Sequence, residues 1–365
     1  MLQRFLAAGM LMLCLSGFAA AQDAATSEPP ADTVAAPTST TVFTASADVY
    51  YRFDFAETAA NNKTSFTNSH SSFELGMASV KLEHSSKKVG MVADLGFGRR
   101  AEEFSYTDDR TRFAIKQLNV FYTFKNGVKI TAGSWATHVG YELVDAYLNR
   151  NYSMSYLFSY GPFSHTGIKA EKTFGSSGVM LGIANPTDLK STTIGSKFVI
   201  GQLSTAAADG KLKAWLNFQG GKPNDSTRIS QLDLVLTGAI SPKFSVGLNG
   251  AVVNFQSRET AEEDFGDMTS WWGGAVYLNA DPLSWLGLTL RSEYFSDKNA
   301  LNVFGAFPEG GSVIATTFSL NLKADNLTII PEIRFEKASE DLFLESSEKA
   351  SDTAASFLVA AVYKF

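Results

Sequence analysis

Few side chains in this 365-residue sequence have the types and spacing that catalysis or metal binding needs. Of the four histidines, His138 and His165 share one segment with several serines, but no serine lies in a Gly-x-Ser-x-Gly elbow. His70 and His84 are predicted at opposite ends of the molecule, so one site built from all four is not expected. The glycine-rich stretches lack the Gly-Lys-Ser/Thr of a phosphate-binding loop. We predict no enzymatic activity and no cofactor.

Acidic residues form clusters in three polar segments. Carboxylate oxygens suit calcium or magnesium, although the spacing here matches no EF-hand loop. The alternative is that these residues only solvate exposed loops and make the surface around them negative. Divalent cations are therefore a candidate partner. The clusters are Glu102, Glu103, Asp108 and Asp109, then Glu259, Glu262, Glu263, Asp264 and Asp267, then Glu340, Asp341, Glu345 and Glu348.

Further charged residues occupy alternate positions of segments that otherwise alternate with apolar residues. Rings of charge around a water-filled space select ions by sign. The alternative is that these residues only solvate that space or pair across strands. The two signs are equally represented, which predicts weak selectivity. The residues are Arg52, Lys129, Lys169, Lys213, Arg291 and Arg334, with Asp48, Asp94, Glu171, Asp233, Glu293 and Glu332.

Such residues can face a common interior only if their segments are β-strands, whose successive side chains point to opposite faces. In the first segment Phe43, Val49 and Phe53 alternate with polar residues such as Asp48 and Arg52. The pattern recurs in segments of about ten residues, the length that a tilted strand needs to cross a bilayer. It predicts strands with lipid on one side and water on the other. A soluble β-sandwich is the alternative.

The connections between these segments alternate between short turns and long polar loops. Transmembrane barrels have short periplasmic turns and longer extracellular loops. Seven such turns and eight such loops predict an all-β, closed, antiparallel transmembrane barrel of sixteen strands over residues 42–365. Fourteen or eighteen strands are alternatives, because 194–205 is weakly patterned and 73–84 changes parity. A β-bulge would explain that change.

The longest loop covers residues 137–165 and is rich in aromatic and apolar residues. Loops of this length are usually functional or disordered, and this composition favours order. Apolar residues over 143–148 have helical spacing. We predict that the loop folds inward, with Glu142, Asp145 and Arg150 forming a mixed-charge constriction. An external lid is the alternative.

The two ends of the sequence differ in character. Residues 1–21 have the charged start, short apolar stretch and small-residue end of a secretory signal peptide, and contain Cys14, the only cysteine. Residues 22–41 are predicted to be a disordered periplasmic lead-in. At the other end Phe357, Val359, Tyr363 and Phe365 form an outward apolar stripe. This stripe predicts a last strand that closes the barrel by pairing with the first.

Net charge excludes one class of partner. The chain carries a formal charge of −6, whereas nucleic-acid binding depends on basic patches that neutralise phosphates. The expected partners are outer-membrane lipid, lipopolysaccharide, the outer-membrane assembly machinery that an exported barrel needs, and small hydrophilic solutes.

Three stretches resemble the OmpL-like β-barrel porins of bacterial outer membranes. They are GSWATHVGYE at 133–142, NRNYSMSYLFSYGPFSHTGIKAEKTF at 149–174 and NLTIIPEIRFE at 326–336. The resemblance covers the chain beyond residue 42 and implies an outer-membrane barrel for passive transport in a Gram-negative bacterium. The sequence Asn-Pro-Thr-Asp at 185–188 and the acidic residue Glu336 depart from the family pattern.

The function expected from these features is a diffusion channel for small hydrophilic solutes or ions with weak charge selectivity. The alternative is a surface adhesin or structural barrel with a plugged lumen, whose acidic loops bind a partner. The transported solute and the oligomeric state cannot be inferred from the sequence.

Overall fold

The computed structural model describes residues 39–260 and 263–365. The predicted signal peptide with Cys14, the lead-in up to residue 38, and Glu262 of the second acidic cluster lie outside these residues. No helix in the described ranges is both long enough and apolar enough to cross a membrane.

Sixteen strands form one closed barrel in which each strand pairs antiparallel with its neighbours, which confirms the predicted fold class and strand number. The strands are β1 Ser39–Asp54, β2 Ser72–Ser86, β3 Val89–Phe97, β4 Ile115–Thr123, β5 Lys129–Ala136, β6 Ser164–Phe174, β7 Ser177–Ala184, β8 Phe198–Ala207, β9 Leu212–Asn224, β10 Thr227–Ser241, β11 Phe244–Ser257, β12 Thr269–Leu283, β13 Leu286–Asp297, β14 Gly311–Ala324, β15 Leu327–Ala338 and β18 Thr353–Lys364.

Smaller elements lie in the long connections. Two-residue strands, β16 Phe343–Leu344 and β17 Ala350–Ser351, form a separate hairpin between β15 and β18. The two α-helices are α1 Arg99–Phe104 and α2 Tyr156–Ser159. Single 3-10 turns occupy Ala59–Asn61, Arg110–Ala114 and Ala146–Leu148.

Short turns meet at one end of the barrel, here called the turn end, and long connections meet at the other, the loop end. Two predicted boundaries were wrong. Strand β1 begins at Ser39, so residues 39–41 pair with β2 instead of belonging to the lead-in. One of the eight connections counted as long loops, at 221–226, is a tight turn, because β9 extends to Asn224 and β10 begins at Thr227.

The alternation of side chains divides the outside of the barrel from its inside. Leu232 and Leu234 of β10 are exposed on the outer surface, whereas Gln231 and Asp233, which alternate with them, are buried inside. Apolar side chains outside and polar side chains inside suit a barrel surrounded by lipid.

Strands β1 and β18 close the barrel. The amide of Phe365 donates to the carbonyl of Ala45 at 2.9 Å, and the amide of Ala45 donates to the carbonyl of Phe365 at 3.0 Å. Phe365 packs on the outer surface 6.1 Å from the ring of Phe43. Tyr363 is exposed beside it; further along the same strand Phe357 is exposed and Val359 is half-buried. Because each of the sixteen described strands pairs with a neighbour on both sides, the barrel leaves no open sheet edge among them, as a lipid-surrounded sheet requires.

Two β-bulges reshape the inner wall near the middle of the barrel. Between β1 and β2 the pairing jumps from Ala47–Ala78 to Val49–Leu75, so Gly76 and Met77 lie opposite one residue. This is the bulge predicted from the parity change. Between β3 and β4 the pairing passes over Lys116, whose side chain turns inward.

Candidate functional site

Residues 137–163, which connect β5 to β6, form the centre of the site and are called the inserted loop. Their side chains and amides contact inward-facing residues of strands on several sides of the barrel, so this segment lies inside the lumen. The helical spacing of apolar residues over 143–148 does not correspond to an α-helix, because that stretch forms only the 3-10 turn Ala146–Leu148. The loop's α-helix is α2, where Ser155 caps the amide of Phe158.

Glu142 anchors the loop to strand β13. Its Oε1 accepts a hydrogen bond of 2.5 Å from Nη1 of Arg291, which is fully buried. Its Oε2 accepts from the amide of Ser155 at 2.8 Å. The Arg291 guanidinium also donates to the carbonyls of Ser153 and Met154, at 2.7 and 3.3 Å. A single arginine of the barrel wall therefore holds the inserted loop both at Glu142 and at residues 153–154.

Tyr152 anchors the loop to strands β1 and β15. Its hydroxyl donates to Asp48 of β1 at 2.5 Å, and its amide donates to Glu332 of β15 at 3.0 Å. Arg100 of α1 stacks over its ring at 4.7 Å and donates to its carbonyl at 3.2 Å. Charge-assisted bonds of this kind are the stronger ones in proteins.

The start of α2 is held by a cluster of charges on β13 and β15. Glu293 accepts from the amide of Tyr156 at 2.8 Å, and Glu336 accepts from the hydroxyl of Tyr156 at 2.7 Å. Arg334 lies between the two carboxylates, at 3.7 Å from Glu293 and 3.0 Å from Glu336. Because each buried charge has an opposite neighbour, the desolvation cost of burying it is offset.

Asp145 and Arg150 reach two further parts of the wall. Asp145 accepts from Nζ of Lys116 at 2.5 Å, and the same ammonium lies 3.1 Å from Asp94. Arg150 forms a bidentate pair with Asp281, at 2.9 and 3.1 Å. With Glu142, these residues are the three predicted at a constriction. The structure places each against a different strand, where it fastens the loop instead of lining one open ring.

A polar contact also fastens the beginning of the loop. Asp233 of β10 accepts from the amide of Gly140 at 3.0 Å. It also accepts from the side chains of Asn217 and Asn249, at 2.7 and 2.6 Å. Hydrogen bonds from uncharged donors stabilise this carboxylate. Among the described residues, no cation lies within ion-pair distance of it.

The twelve alternating charges that the sequence singled out all lie on the inward face, but in two different environments. Eight are buried: Asp48, Arg52, Asp94, Asp233, Arg291, Glu293, Glu332 and Arg334. Four are only partly buried and lie towards the turn end: Lys129, Lys169, Glu171 and Lys213. Six of the eight contact the inserted loop, whereas Arg52 pairs with Asp54 at 2.9 Å and Asp94 with Lys116 at 3.1 Å.

The loop packs closely against strands β1, β15 and β18. A cavity lined by Arg52, Ser153 and Glu332, among others, has a volume of about 10 Å³. That is room for about one water molecule. Beside it, aromatic side chains fill the lumen, with Tyr141 stacked on Tyr277 at 3.9 Å and Tyr156 on Phe295 at 5.6 Å. The loop thus fills this section of the barrel.

Lys116, Arg100 and Glu336 are among the charged residues that build the site but were not predicted from the sequence. Lys116 falls at the unpaired position of a bulge, which hides it from a strict alternation pattern. Arg100 lies in α1, outside any strand, and Glu336 continues the inward series of Glu332 and Arg334 by one step. Only Glu336 could have been found by extending the alternation.

A buried carboxylate clasps the end of the inserted loop from the next connection. Asp188 accepts hydrogen bonds from the amides of Phe163 and Ser164, at 2.8 and 2.7 Å, and from the hydroxyl of Tyr106 at 3.1 Å. Burial raises the pKa of Asp188 to about 6, because desolvation outweighs the hydrogen bonds that favour its charged form.

Members of the first acidic cluster have separate partners. Glu103 binds Arg99 and the amide of Phe66, while Asp108 pairs with Lys190 and Asp109 with Arg112. Within residues 39–260 and 263–365, no three His, Cys, Asp or Glu side chains are grouped to hold a metal ion. His138 and His165 do come together, with their rings 4.9 Å apart.

Solved structures with the same fold are bacterial outer-membrane proteins. An anion-selective porin from Comamonas acidovorans has a TM-score of 0.60 and 11% identity, over 90% of this chain and 100% of that one. OmpT of Vibrio cholerae has a TM-score of 0.58 and 10% identity, over 92% and 100%. The channel DcaP of Acinetobacter baumannii has a TM-score of 0.58 and 11% identity, over 90% and 97%.

None of the curated proteins is significantly similar in sequence. The family described as "Putative beta-barrel porin-2, OmpL-like" matches residues 40–365. That match covers the barrel from its first strand to Phe365, and it agrees with the sixteen-stranded closed architecture. The chain belongs to the OmpL-like family of β-barrel porins.

Proposed function

We propose that the protein is an outer-membrane diffusion channel for small hydrophilic solutes or ions, and that the inserted loop restricts the pathway. The observation that carries this proposal is the fastening of a loop inside a sixteen-stranded barrel by ion pairs to several strands. A barrel of this size leaves an aqueous channel unless something fills it. The passage of solutes then depends on the width of the gap between the inserted loop and the barrel wall.

The accessible charges favour anions weakly. Of the twelve inward residues predicted from the sequence, burial leaves three lysines and one glutamate partly accessible: Lys129, Lys169, Lys213 and Glu171. Two of the lysines lie within 4.0 Å of that glutamate, at 3.7 and 3.4 Å. The overall balance of signs predicted weak selectivity. The accessible residues of this set carry more positive than negative charge, which predicts that the weak selectivity favours anions, because positive charge at the entrance of a channel concentrates them.

A plugged barrel is the second candidate, and the tight packing around the inserted loop favours it. In that case the lumen would be closed, and the outer loops would bind a partner. The cavity of about 10 Å³ between loop and wall supports this candidate.

Planar-bilayer recordings of refolded protein separate the two candidates. We compare the wild type with a variant that lacks residues 142–150, which carry three of the anchoring side chains. A restricted channel conducts, and its single-channel conductance rises in the variant. A plugged barrel is silent as wild type and conducts only after the deletion. Equal conductance of the two proteins would refute control of the pathway by the loop.

Deletion of 345–348, the exposed turn between β16 and β17, serves as the control. This change removes none of the anchors of the inserted loop, so conductance should stay at the wild-type value. Heat-dependent mobility in detergent gels confirms that each variant has folded into a barrel.

A further inference from the structure

A groove on the outer surface of strands β8 to β10 has a chemistry that the lumen does not explain. Its volume is about 460 Å³. It opens outward, because Ile200 is fully buried inside the barrel while Val199, one position earlier, is exposed. Gly220 pairs with Val199 and, having no side chain, leaves the space that becomes the floor of the groove.

The groove combines an apolar part with a cationic part. Phe218, which is exposed on the lipid-facing surface, lines it towards the middle of the barrel. Lys197, Lys222 and Arg228 line it at the loop end, near the hydroxyl-bearing Ser230. An occupant would therefore meet hydrocarbon-facing surface at one side and positive charge at the boundary of the membrane.

The cations are concentrated around one aromatic ring. The charged groups of Lys222, Arg228 and Arg258 lie 5.3, 4.3 and 4.7 Å from the centroid of Phe265. Each cation–π contact is favourable, but three like charges around one ring repel one another. The ring fixes these cations in place without neutralising them.

Carboxylates do not neutralise the cluster within the part of the chain that the structure describes. None lies within 4.0 Å of these three cations; Arg258 donates instead to the backbone carbonyls of Asp225 and Glu263, at 2.9 and 3.2 Å. The Glu263 carboxylate accepts from the amide of Thr260 at 3.2 Å. The cluster thus has unused capacity for an anion.

We propose that this groove binds the phosphorylated headgroup of an outer-leaflet lipid. Arginine and lysine are the side chains that recognise phosphate, and arginine does so through two parallel hydrogen bonds. The position at the loop end of lipid-facing strands places the phosphate at the membrane boundary and an acyl chain against Phe218. A free phosphate would meet the same cations but would gain nothing from the apolar half of the groove.

Native mass spectrometry of the detergent-solubilised protein tests this proposal with diphosphoryl lipid A as the probe. The double variant K222Q/R228Q removes two of the cations. Loss of charge-assisted bonds to phosphate should weaken lipid binding about tenfold or more. The matched control is K125Q/K211Q, which removes the same charge from turns at the opposite end and should bind as the wild type does.

Two further arms make the test decisive. R228K keeps the charge but loses the two parallel hydrogen bonds, so it should bind lipid A less well than the wild type and better than R228Q, and this order separates loss of charge from misfolding. Inorganic phosphate should compete only at concentrations far above those of lipid A. Equal binding by K222Q/R228Q and the wild type would overturn the proposal, as would competition by phosphate at concentrations similar to those of the lipid.

Discussion

Charge inside this barrel is compensated residue by residue. Arg291 is fully buried and donates to one carboxylate, two carbonyls and two hydroxyls, from Glu142, Ser153, Met154 and Thr317. Such a group depends on its partners, because an unpaired buried charge is far more costly than a buried pair is favourable. The contacts of single residues therefore decide how firmly the inserted loop is held.

Replacing one member of the Glu142–Arg291 pair should release the loop more than replacing both. R291M leaves the Glu142 carboxylate buried without its cation, at a cost of about 3–5 kcal/mol. E142Q/R291M removes both charges and should cost less. We expect higher and noisier conductance for R291M than for the double variant in bilayer recordings. The opposite order would mean that the pair does not hold the loop.

Burial of Asp188 against the end of the inserted loop should become more favourable at mildly acidic pH, because the protonated carboxyl costs less to desolvate. The pKa of Asp188 is raised to about 6 from an ordinary value of 3.8, so the folded state binds the proton more tightly. The stabilising effect is present below pH 3.8 and is lost as pH rises through 6. The full effect is about 3 kcal/mol.

Hydrogen exchange at the amides of Phe163 and Ser164, corrected for the intrinsic pH dependence, measures this effect. Protection should increase between pH 7 and pH 4.5 in the wild type. In D188N the neutral side chain keeps an oxygen acceptor, so protection should no longer depend on pH in this range. A pH dependence that survives in D188N would assign the proton to another group.

At the scale of elements, strands and loops differ in how far the sequence predicts them. Alternation of Leu232 and Leu234 with Gln231 and Asp233 is a local signal, because a strand face is fixed by its surroundings on each side. It predicted the strand number, the turns and the bulge in β2. The path of the inserted loop depends instead on contacts with residues more than a hundred positions away, such as Glu142 with Arg291.

Only part of the site could likewise be predicted from the sequence. Charged inward positions followed from the alternation, but their division into buried and accessible groups did not, since the loop decides it. Lys116 and Arg100 were not predicted because they reach the interior from a bulge and from a short helix. Packing determines both of these features, and strand alternation does not reveal them. The helical spacing over 143–148 reflects packing of an irregular segment against the wall instead of a regular helix.

The bulge in β2 needs a residue without a side chain at Gly76. A Cβ atom there would lie 1.7 Å from Oδ1 of Asp48 and 2.5 Å from the hydroxyl oxygen of Tyr152. G76A should push these partners apart and loosen the loop, at a cost of about 1–3 kcal/mol. G250A is the control, because its nearest neighbour outside the adjoining residues is 3.8 Å away.

Tryptic cleavage after Arg150 reports this loosening, since that bond lies inside the barrel while the loop is inserted. G76A should be cut faster than the wild type, and G250A at the wild-type rate. Cleavage of G76A as slow as that of G250A would show that Asp48 and Tyr152 can move aside without freeing the loop.

At the scale of the whole molecule, charge is distributed unevenly along the barrel axis. The inward-facing charges that remain partly or fully accessible at the turn end include more lysines than carboxylates. They are Lys81, Lys129, Lys169, Lys213, Lys323 and Lys364 against Glu83, Glu171 and Asp281. An ion that enters from this end meets a net positive potential.

The reversal potential in a salt gradient should therefore indicate a weak preference for anions. Of the four accessible residues from the predicted set, K129E/K213E leaves one cation against three carboxylates, so the sign of the potential should invert. K125E/K211E makes the same change of net charge in turns outside the lumen and should leave the sign unchanged. A wild-type preference for cations would contradict the proposed direction.

The inserted loop is fastened at points distributed along its length, from Gly140 to Tyr156, and not at a single hinge. Loosening one point leaves the neighbouring points to recapture it, so partial detachment gains little freedom. We therefore expect the inserted loop to detach from the barrel wall cooperatively, with few molecules in partly detached states. A recording from one molecule would consist of abrupt steps between long-lived current levels instead of a continuous drift.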